Sequence, residues 1–309
     1  MDPPLLAVIG PTAVGKTAAS LQLAQLHDGE VVSADSRQVY RGMDIGTAKV
    51  SPIDQQRVPH HLLDLVDPDQ PLTLARYQEL AYASIDAVLS RGRLPLLVGG
   101  SALYVRAVLE GWTIPRVPPN PALRAVLERE GRERGSETLH RWLAALDSVA
   151  ARRIDPRNVR RLVRALEVCL TAGRPISELQ AKRAPPYRIQ RVGLTMPRDL
   201  LYQRIDQRVD SMLAAGLVDE VRALVEKGYD LDLPAMSALG YRQIGLYLQG
   251  EVSLEEAVAL IKRETRRFVR RQHTWFRRDD PRIIWFDSDS QGWMQRMETS
   301  VRELLASSS

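Results

Sequence analysis

The stretch Gly10-Pro11-Thr12-Ala13-Val14-Gly15-Lys16-Thr17 follows the apolar run Leu5 to Ile9 and opens an Ala- and Leu-rich segment with helical character. Its spacing is that of a phosphate-binding loop, which joins a strand to a helix. In such loops the glycines let backbone N–H groups turn inward, while the helix N-terminus and Lys16 supply positive charge. We therefore expect these residues to bind a diphosphate, with the Thr17 hydroxyl placed to hold Mg²⁺.

Around this loop, apolar runs separated by helical periodicity predict an α/β fold. Short, largely apolar runs are typical of strands in a parallel sheet that is covered on both faces. We expect a P-loop NTPase-like parallel sheet core flanked by helices. The further predicted strands are Glu30 to Ala34, Leu94 to Val98, Ile189 to Leu194 and, at the sheet edge, Ile283 to Phe286.

The composition changes after Gly111, where Pro115, Pro118, Pro119 and Pro121 form a stiff exit from the sheet. Residues 122–185 have helical periodicity and contain no candidate strand. We therefore predict an all-helical inserted domain over residues 115–188 and a core domain formed by residues 1–114 and 189–309.

Charge and cysteine content narrow the classes of function. The 309 residues carry a net charge of +5, which favours a polyanionic partner only weakly. Cys169 is the single cysteine, so disulfides and cysteine-based zinc sites are excluded. No apolar run approaches the roughly 20 residues that span a bilayer, and the first residues lack the pattern of a signal peptide. We expect a cytoplasmic monomer without membrane contact.

A carboxylate follows the second predicted strand, in the segment Asp35-Ser36-Arg37-Gln38-Val39-Tyr40. The carboxyl ends of parallel strands form the ligand-binding edge of an open α/β sheet, so Asp35 is a candidate for chemistry near the phosphate loop. An aspartate that caps the start of a helix fits the same position equally well. The residues alone leave both interpretations open.

The strand ending at Val98 leads into Gly99-Gly100-Ser101-Ala102-Leu103-Tyr104, which contains no acidic residue. An ATPase often places a carboxylate that orders Mg²⁺ at this point. Its absence indicates that the bound phosphates are not hydrolysed as ATP. The adjacent His60 and His61 are interpreted as structural, because neighbouring side chains point to different faces and seldom share a metal ion.

Two helical segments are rich in arginine. One is predicted to begin at Asp155 and the other to run from Leu254 to about Arg278. Because guanidiniums bind phosphate bidentately, we expect both segments to face a polyanion. The arginines are Arg157, Arg160, Arg161 and Arg164, opposite the apolar stripe Val159, Val163, Leu166 and Leu170, and then Arg263, Arg267, Arg270 and Arg277.

Together these segments resemble the tRNA isopentenyl transferase family, that is, the tRNA dimethylallyltransferases. The resemblance covers nearly the whole chain, with the motifs in family order, and the set is far more specific than any one motif. Besides the segments quoted above, it rests on Asp44-Ile45-Gly46-Thr47-Ala48-Lys49, Pro59-His60-His61, residues 161–167, Gly240-Tyr241-Arg242-Gln243 and residues 265–277.

The resemblance implies transfer of a dimethylallyl group from dimethylallyl diphosphate to N6 of adenine 37 in the anticodon loop of tRNAs that read codons beginning with U. It implies that Asp35 is the base for the poorly nucleophilic amine and that Thr17 holds Mg²⁺. Ser101 would contact the adenine or the diphosphate, and it departs from the threonine that family members commonly have. Arg208, or Arg204 one turn before it, is an expected further diphosphate ligand.

The implied partner is the tRNA anticodon stem-loop, whose target base we expect to be extruded into the pocket. Asp35 and the residues after it would hold the base, while the insertion and a later loop grip the RNA. The expected RNA contacts are Asp35, Ser36, Arg37, Gln38, Ser101, Arg160, Arg161, Leu162, Val163, Arg164, Leu239, Gly240, Tyr241, Arg242, Gln243, Arg267 and Arg270.

Three alternatives stand beside this interpretation. The nearest is an adenylate isopentenyltransferase acting on free AMP, ADP or ATP, against which the arginine-rich helices argue. The second is a small-molecule kinase, against which the missing acidic strand end counts. The third is a nucleotide-controlled RNA-binding switch, for which Asp35 would be dispensable.

Overall fold

The computed structural model describes residues 2–306. Their contacts divide the chain into two compact units. The second unit comprises Glu110–Pro185, and the remainder of the described chain forms the first. No helix within residues 2–306 is both long enough and apolar enough to cross a membrane.

A six-stranded parallel sheet forms the centre of the first unit. Its order is β3-β2-β4-β1-β5-β6, and every neighbouring pair is parallel. The predicted α/β class is thus confirmed, and β6 lies at the expected edge. The strands are β1 (Pro4–Ile9), β2 (Gly29–Ser33), β3 (His60–His61), β4 (Leu94–Gly99), β5 (Arg188–Thr195) and β6 (Ile283–Asp287).

Helices connect the strands in the first unit and make up the second. The second unit contains α5 to α9, and all the others belong to the first. In chain order they are α1 (Lys16–Leu26), α2 (Pro52–Arg57), α3 (Leu74–Ser90), α4 (Ala102–Leu109), α5 (Pro121–Glu133), α6 (Ser136–Leu146), α7 (Ser148–Arg153), α8 (Val159–Ala172), α9 (Ile176–Leu179), α10 (Arg198–Ala214), α11 (Leu217–Glu226), α12 (Tyr241–Leu248), α13 (Leu254–Trp275) and α14 (Trp293–Ala306).

Alternate side chains of β1 face two different hydrophobic cores. Leu5, Ala7 and Ile9 pack with residues of α3, α4 and α11 to α13. Leu6 and Val8 pack with residues of α1 and α14. Because successive side chains of a strand point to opposite faces, a strand covered on both sides must be apolar throughout, which explains the continuous run before the phosphate loop.

The strand order places β4 between the two strands that lead to the candidate site. Leu97 of β4 pairs with Ala7 of β1 on one side and with Val32 of β2 on the other. The phosphate loop follows β1, and Asp35 follows β2 shortly after its last residue. The two candidate groups therefore leave the same edge of the sheet, with the end of β4 between them.

Some helix predictions need correction. The helix expected from Asp155 begins at Val159, because the Asn158 side chain caps it by accepting the Arg161 backbone N–H. Leu170 was expected in its apolar stripe but is 51% exposed. The long helix ends at Trp275 and not at Arg278.

Glu30 of β2 is a buried carboxylate held by three cationic or ionisable side chains. It accepts hydrogen bonds from Arg91, Arg93 and His61, the last at 2.6 Å. Burial raises the pKa of Glu30, but the hydrogen bonds from Arg91, His61 and Arg93 outweigh it and lower the pKa to about 2. His61 of β3 therefore has a structural partner in the neighbouring strand β2.

We predict that Glu30→Gln lowers the free energy of unfolding at pH 7 by about 2 to 3 kcal/mol, because the neutral amide loses the charge-assisted hydrogen bonds that the buried carboxylate accepts from Arg91, Arg93 and His61. A carboxylate with a lowered folded-state pKa stabilises above its unfolded pKa, so the difference from wild type should shrink between about pH 4.5 and pH 2. Urea unfolding of both proteins across this pH range measures the difference in their free energies of unfolding. Glu79→Gln, in an exposed pair with Arg76, is the control and should change stability by less than about 1 kcal/mol.

Candidate active site

The phosphate loop turns sharply between β1 and α1, and glycine is needed at two of its positions. Gly10 and Gly15 have φ of 149° and 103°, where other residues are strained. A Cβ on Gly10 would lie 2.7 Å from the carbonyl oxygen of Leu194 in β5. Gly15 directly precedes the first residue of α1, so the helix N-terminus opens onto the loop.

Gln272 of α13 ties the phosphate loop to the end of β4. Its Oε1 accepts the backbone N–H of Thr12 at 3.0 Å, and its Nε2 donates to the Gly100 carbonyl oxygen at 3.0 Å. The Gln272 side chain is buried. The hydrogen-bonding role of Gln272 depends on a contact across 260 residues that local sequence patterns do not reveal.

Two cations line the site, and neither forms an ion pair with a carboxylate of the described residues. Burial lowers the pKa of Lys16 to about 8, with a further contribution from Arg208 and an opposing one from Asp35. The Lys16 Nζ donates to the Pro11 carbonyl oxygen at 2.7 Å. Burial also lowers the pKa of Arg208, whose guanidinium makes no hydrogen bond or ion pair with any residue in 2–306. The arrangement is suited to a ligand with adjacent negative charges.

Asp35 lies at the same edge and does not cap a helix. Its Oδ1 accepts the backbone N–H of Arg37 at 2.8 Å, which closes a turn, and residues 36–39 are not helical. The capping interpretation is therefore excluded. Within the described part of the chain its Oδ2 accepts no hydrogen bond, and Asp35 lines the cavity described below.

The Ser101 hydroxyl fixes the segment that carries Asp35. Its Oγ accepts the backbone N–H of Ser36 at 2.9 Å and donates to the Ser36 Oγ at 3.1 Å. The Ser101 backbone N–H also donates to the Ala34 carbonyl oxygen at 3.2 Å. The end of β4 therefore holds the end of β2 through the Ser101 hydroxyl and backbone.

Glu220 of α11 joins two loops beside the site. Its carboxylate accepts the backbone N–H groups of Asp44, Ile45 and Gly46 at 2.7 to 3.1 Å and the hydroxyl of Tyr241. A Cβ on Gly46 would lie 2.4 Å from the Tyr241 ring, so the loop and the ring are in close contact. Sequence reasoning missed Glu220, since an acidic residue early in a helix is usual for helix-dipole reasons alone.

These elements surround a cavity of about 690 Å³ within the first unit. One wall is apolar and comes from α10, α12 and α13, with Val209, Met212, Leu246 and Phe268 among its residues. The other walls bring together many of the expected site residues. Those that line it are Thr12, Ala13, Lys16, Asp35, Ser36, Arg37, Ser101, Arg208, Leu239, Gly240, Arg242 and Gln243.

Other expected site residues have different roles. Tyr241 is fully buried, with its hydroxyl on Glu220, so its side chain supports the loop and is not available to RNA. The Gln38 amide is used internally, donating to the Thr47 and Ala48 carbonyl oxygens and accepting from Ser33. Thr17 is exposed at the start of α1 and does not line the cavity.

In the second unit, several expected RNA contacts are occupied by structural interactions. Leu162 and Val163 are buried in its hydrophobic core. Arg164 donates to Glu167 and to the Val117 carbonyl oxygen. Arg157 pairs with Asp155, whereas the exposed Arg160 and Arg161 form no ion pair within the described chain.

The guanidiniums of the long helix are partly neutralised. Glu264 lies within ion-pair distance of both Arg263 and Arg267, and Asp206 pairs with Arg266. Arg277 pairs with Asp279 beyond the end of the helix. Two arginines of this helix line the cavity: Arg263, which was expected only to face a polyanion, and Arg271, for which the sequence predicted no role.

We predict that Glu220→Gln increases amide hydrogen exchange of Asp44, Ile45 and Gly46 about tenfold or more, because an amide cannot accept from all these donors. Hydrogen-exchange mass spectrometry of the peptide that contains these three amides measures the rate. Tyr241→Phe removes one donor and keeps the ring against Gly46, so it should leave this protection near the wild-type level. Equal exchange rates in wild type and Glu220→Gln would show that the carboxylate does not hold this loop in place.

Comparison with known proteins agrees with this geometry. The sequence profile of the IPP transferase family matches residues 38–279, and that of the isopentenyl transferase family matches residues 3–64. The chain is 55% identical over 305 residues to the tRNA dimethylallyltransferase of Roseiflexus castenholzii, covering 99% of each. It is 53% identical to the tRNA dimethylallyltransferase of Thermomicrobium roseum, covering 97% of this chain and 92% of that protein.

Solved structures show the same relationship. The full-length tRNA isopentenylpyrophosphate transferase of Bacillus halodurans superposes with a TM-score of 0.73 at 41% identity, covering 98% of this chain and 97% of that one. A eukaryotic dimethylallyltransferase acting on tRNA shares the fold, with a TM-score of 0.82 at 24% identity over 98% of this chain and 78% of that one. By sequence and by structure, the chain belongs to the IPP transferase family.

Proposed function

We propose that this protein transfers the dimethylallyl group from dimethylallyl diphosphate to N6 of adenosine 37 in the anticodon loop of tRNAs that read UNN codons, giving N6-(dimethylallyl)adenosine and diphosphate. The observation that carries the proposal is one cavity lined by two cations, neither of which pairs with a carboxylate of the described residues, and by a carboxylate with an oxygen that accepts no hydrogen bond from them. The names of the relatives support the same reaction.

The phosphate loop and its cations stabilise the leaving group. An allylic C–O bond breaks readily when the charge that develops on the diphosphate is neutralised. The Lys16 ammonium, the Arg208 guanidinium and the loop N–H groups are in place before the substrate arrives. Because they are partly desolvated, their attraction for the departing diphosphate is stronger than it would be in water.

The residues of the loop are compatible with Mg²⁺ as cofactor. Mg²⁺ is held by few protein ligands and mainly by phosphate oxygens and water. The exposed Thr17 hydroxyl makes no hydrogen bond to a described residue and would hold the ion beside the diphosphate. When bound, the ion would add positive charge at the leaving group.

Asp35 accepts the proton that the amine must lose. The N6 lone pair is delocalised into the adenine ring, so the amine becomes a sufficient nucleophile only as its proton leaves. The new C–N bond forms, the C–O bond to the diphosphate breaks, and one amine proton passes to the Oδ2 of Asp35. The hydrogen bond from the Arg37 N–H holds the other oxygen and so aims the carboxylate.

Ser101, Ser36 and Arg37 position the base. The hydrogen bonds between Ser101 and Ser36 fix the segment beside Asp35. The Arg37 guanidinium donates to the Pro234 carbonyl oxygen at 2.6 Å and to the Ser237 hydroxyl, so this segment also braces the loop before Leu239. An adenine extruded from the RNA would enter between these two segments.

Exposed cations supply further RNA contacts. We assign this role to Arg242, which lines the cavity, and to Arg160 and Arg161 in the second unit, all of which are exposed. Arg267 and Arg270 of the long helix are exposed as well. The net charge of +5 accords with a polyanionic partner.

Incubation with dimethylallyl diphosphate, Mg²⁺ and unmodified tRNA, followed by nucleoside mass analysis, tests the proposal. One adenosine per tRNA should gain the mass of the dimethylallyl group. In competition, an anticodon stem-loop should inhibit strongly and AMP weakly. Brisk ATP consumption without isoprenoid mass on RNA, or transfer to free AMP in preference to RNA, would contradict the proposal.

We predict that Asp35→Asn lowers kcat by about 10²- to 10⁴-fold, because the amide cannot accept the amine proton, while KM for dimethylallyl diphosphate changes little. Steady-state kinetics with stem-loop RNA measures both constants. Asp219→Asn, at a 78% exposed carboxylate on α11, serves as the matched control and should keep wild-type kcat. Full transfer by Asp35→Asn or Asp35→Ala would exclude the carboxylate as base.

We predict that donor affinity falls as the pH rises through about 8, where free Lys16 loses its proton. The bound diphosphate favours the charged ammonium, so binding near pH 8.5 should take up part of a proton. Calorimetry with a thiolo-diphosphate donor analogue, in two buffers of different ionisation enthalpy, measures this uptake. The proton uptake should disappear in Lys16→Arg, and a pH-independent affinity of the wild type would contradict the prediction.

A further inference from the structure

Three guanidiniums surround Tyr202 on α10. The Cζ of Arg198 lies 5.2 Å and that of Arg266 lies 5.4 Å from the centroid of the Tyr202 ring. The phenol oxygen accepts hydrogen bonds from Arg198 Nε at 3.1 Å and from Arg270 at 3.4 Å. We refer to Arg198, Tyr202, Arg266 and Arg270 as the Arg–Tyr cluster.

The cluster carries more positive charge than its carboxylates balance. Asp206 pairs with Arg266, but Arg198 and Arg270 form no ion pair within residues 2–306. One turn along the same pair of helices, Lys262 pairs with Asp210, so the excess is confined to the cluster end. Burial acts to raise the pKa of Tyr202, yet hydrogen bonds from Arg198 and Arg270 lower it, which reflects the same excess.

The cluster lies beside the cavity on both of its helices. Ile205 comes three residues after Tyr202 on α10 and lines the cavity. On α13, Phe268 and Arg271 line it as well, on either side of Arg270 in sequence. With a rise of about 1.5 Å per residue, the cluster is within about one helical turn of the cavity lining.

We propose that the Arg–Tyr cluster binds backbone phosphates of the substrate RNA next to the nucleotide that enters the cavity. The inference rests on the proposed function. Exposed guanidiniums match phosphate geometry bidentately, and a tyrosine among them offers a ring on which a flanking base stacks. The proposal adds Arg198 and Tyr202 to the RNA-binding surface. It also places Arg270, already expected to contact RNA, in one phosphate-binding group with them.

The test is the double variant Arg198→Gln/Arg270→Gln, which changes two exposed positions. Fluorescence anisotropy with a labelled anticodon stem-loop, in the absence of donor, should show about tenfold weaker binding than wild type. A plot of the logarithm of the association constant against the logarithm of the salt concentration has a negative slope. The magnitude of this slope should decrease by about 2, which is about 1 for each lost phosphate contact. At saturating RNA, the KM for dimethylallyl diphosphate should stay at the wild-type value, because neither Arg198 nor Arg270 lines the cavity.

The charge-matched control is Arg76→Gln/Arg302→Gln on α3 and α14, helices that do not line the cavity. It should bind RNA as wild type does. Unchanged RNA affinity and salt slope in the cluster variant would overturn the inference. So would a rise in the KM for dimethylallyl diphosphate with RNA binding intact, which would assign the cluster to free diphosphate. Because RNA binding is measured without donor, failure of prenyl transfer alone would overturn only the proposed function.

Discussion

The site depends on one constraint: two cations share a partly desolvated pocket, and neither has a carboxylate partner among the described residues. Lys16 and Arg208 repel each other, and burial weakens the charged form of both. Asp35 opposes these effects but forms an ion pair with neither. Such an arrangement persists only if the surrounding fold is stable enough to hold it, and a bound diphosphate relieves it.

The fold meets this requirement with polar side chains that serve several backbone groups at once. Gln272 holds both the phosphate loop and the end of β4, while Glu220 holds three consecutive N–H groups and a phenol. Gln272 is buried and Glu220 is half-buried, and because both are satisfied by hydrogen bonds, their removal from water costs little free energy. Loops fixed in this way keep the lining of the cavity in place before any ligand arrives.

The local geometry of the phosphate loop and most of the sheet followed from sequence. The loop glycines act within one strand-turn-helix, so their spacing indicated the turn, and five of the six strands of the described sheet were recognised from their apolar runs, whereas the two-residue β3 has no such run. Glu220 and Gln272 act on segments more than 170 residues away. Their residue types are common on helices, and only the packing of α11 and α13 shows what they bind.

The same distinction explains the errors. Tyr241, Leu162 and Val163 lie in motifs that resemble the family's RNA-binding segments, yet all three side chains are buried. A motif identifies a segment, but it does not show which side chains of that segment are exposed. Arg164 is a further example, because its guanidinium forms an ion pair with the buried Glu167.

The position of β4 between β1 and β2 has a consequence for substrate length. Two interstrand spacings separate the strand that leads to the diphosphate site from the strand that leads to the carboxylate, which amounts to about 10 Å. β4 thus acts as a spacer whose width is set by the hydrogen-bonded ladder and not by side-chain rotamers. In the proposed reaction, a short branched hydrocarbon and the incoming amine would lie between these two strand ends, whose separation is a property of the strand order.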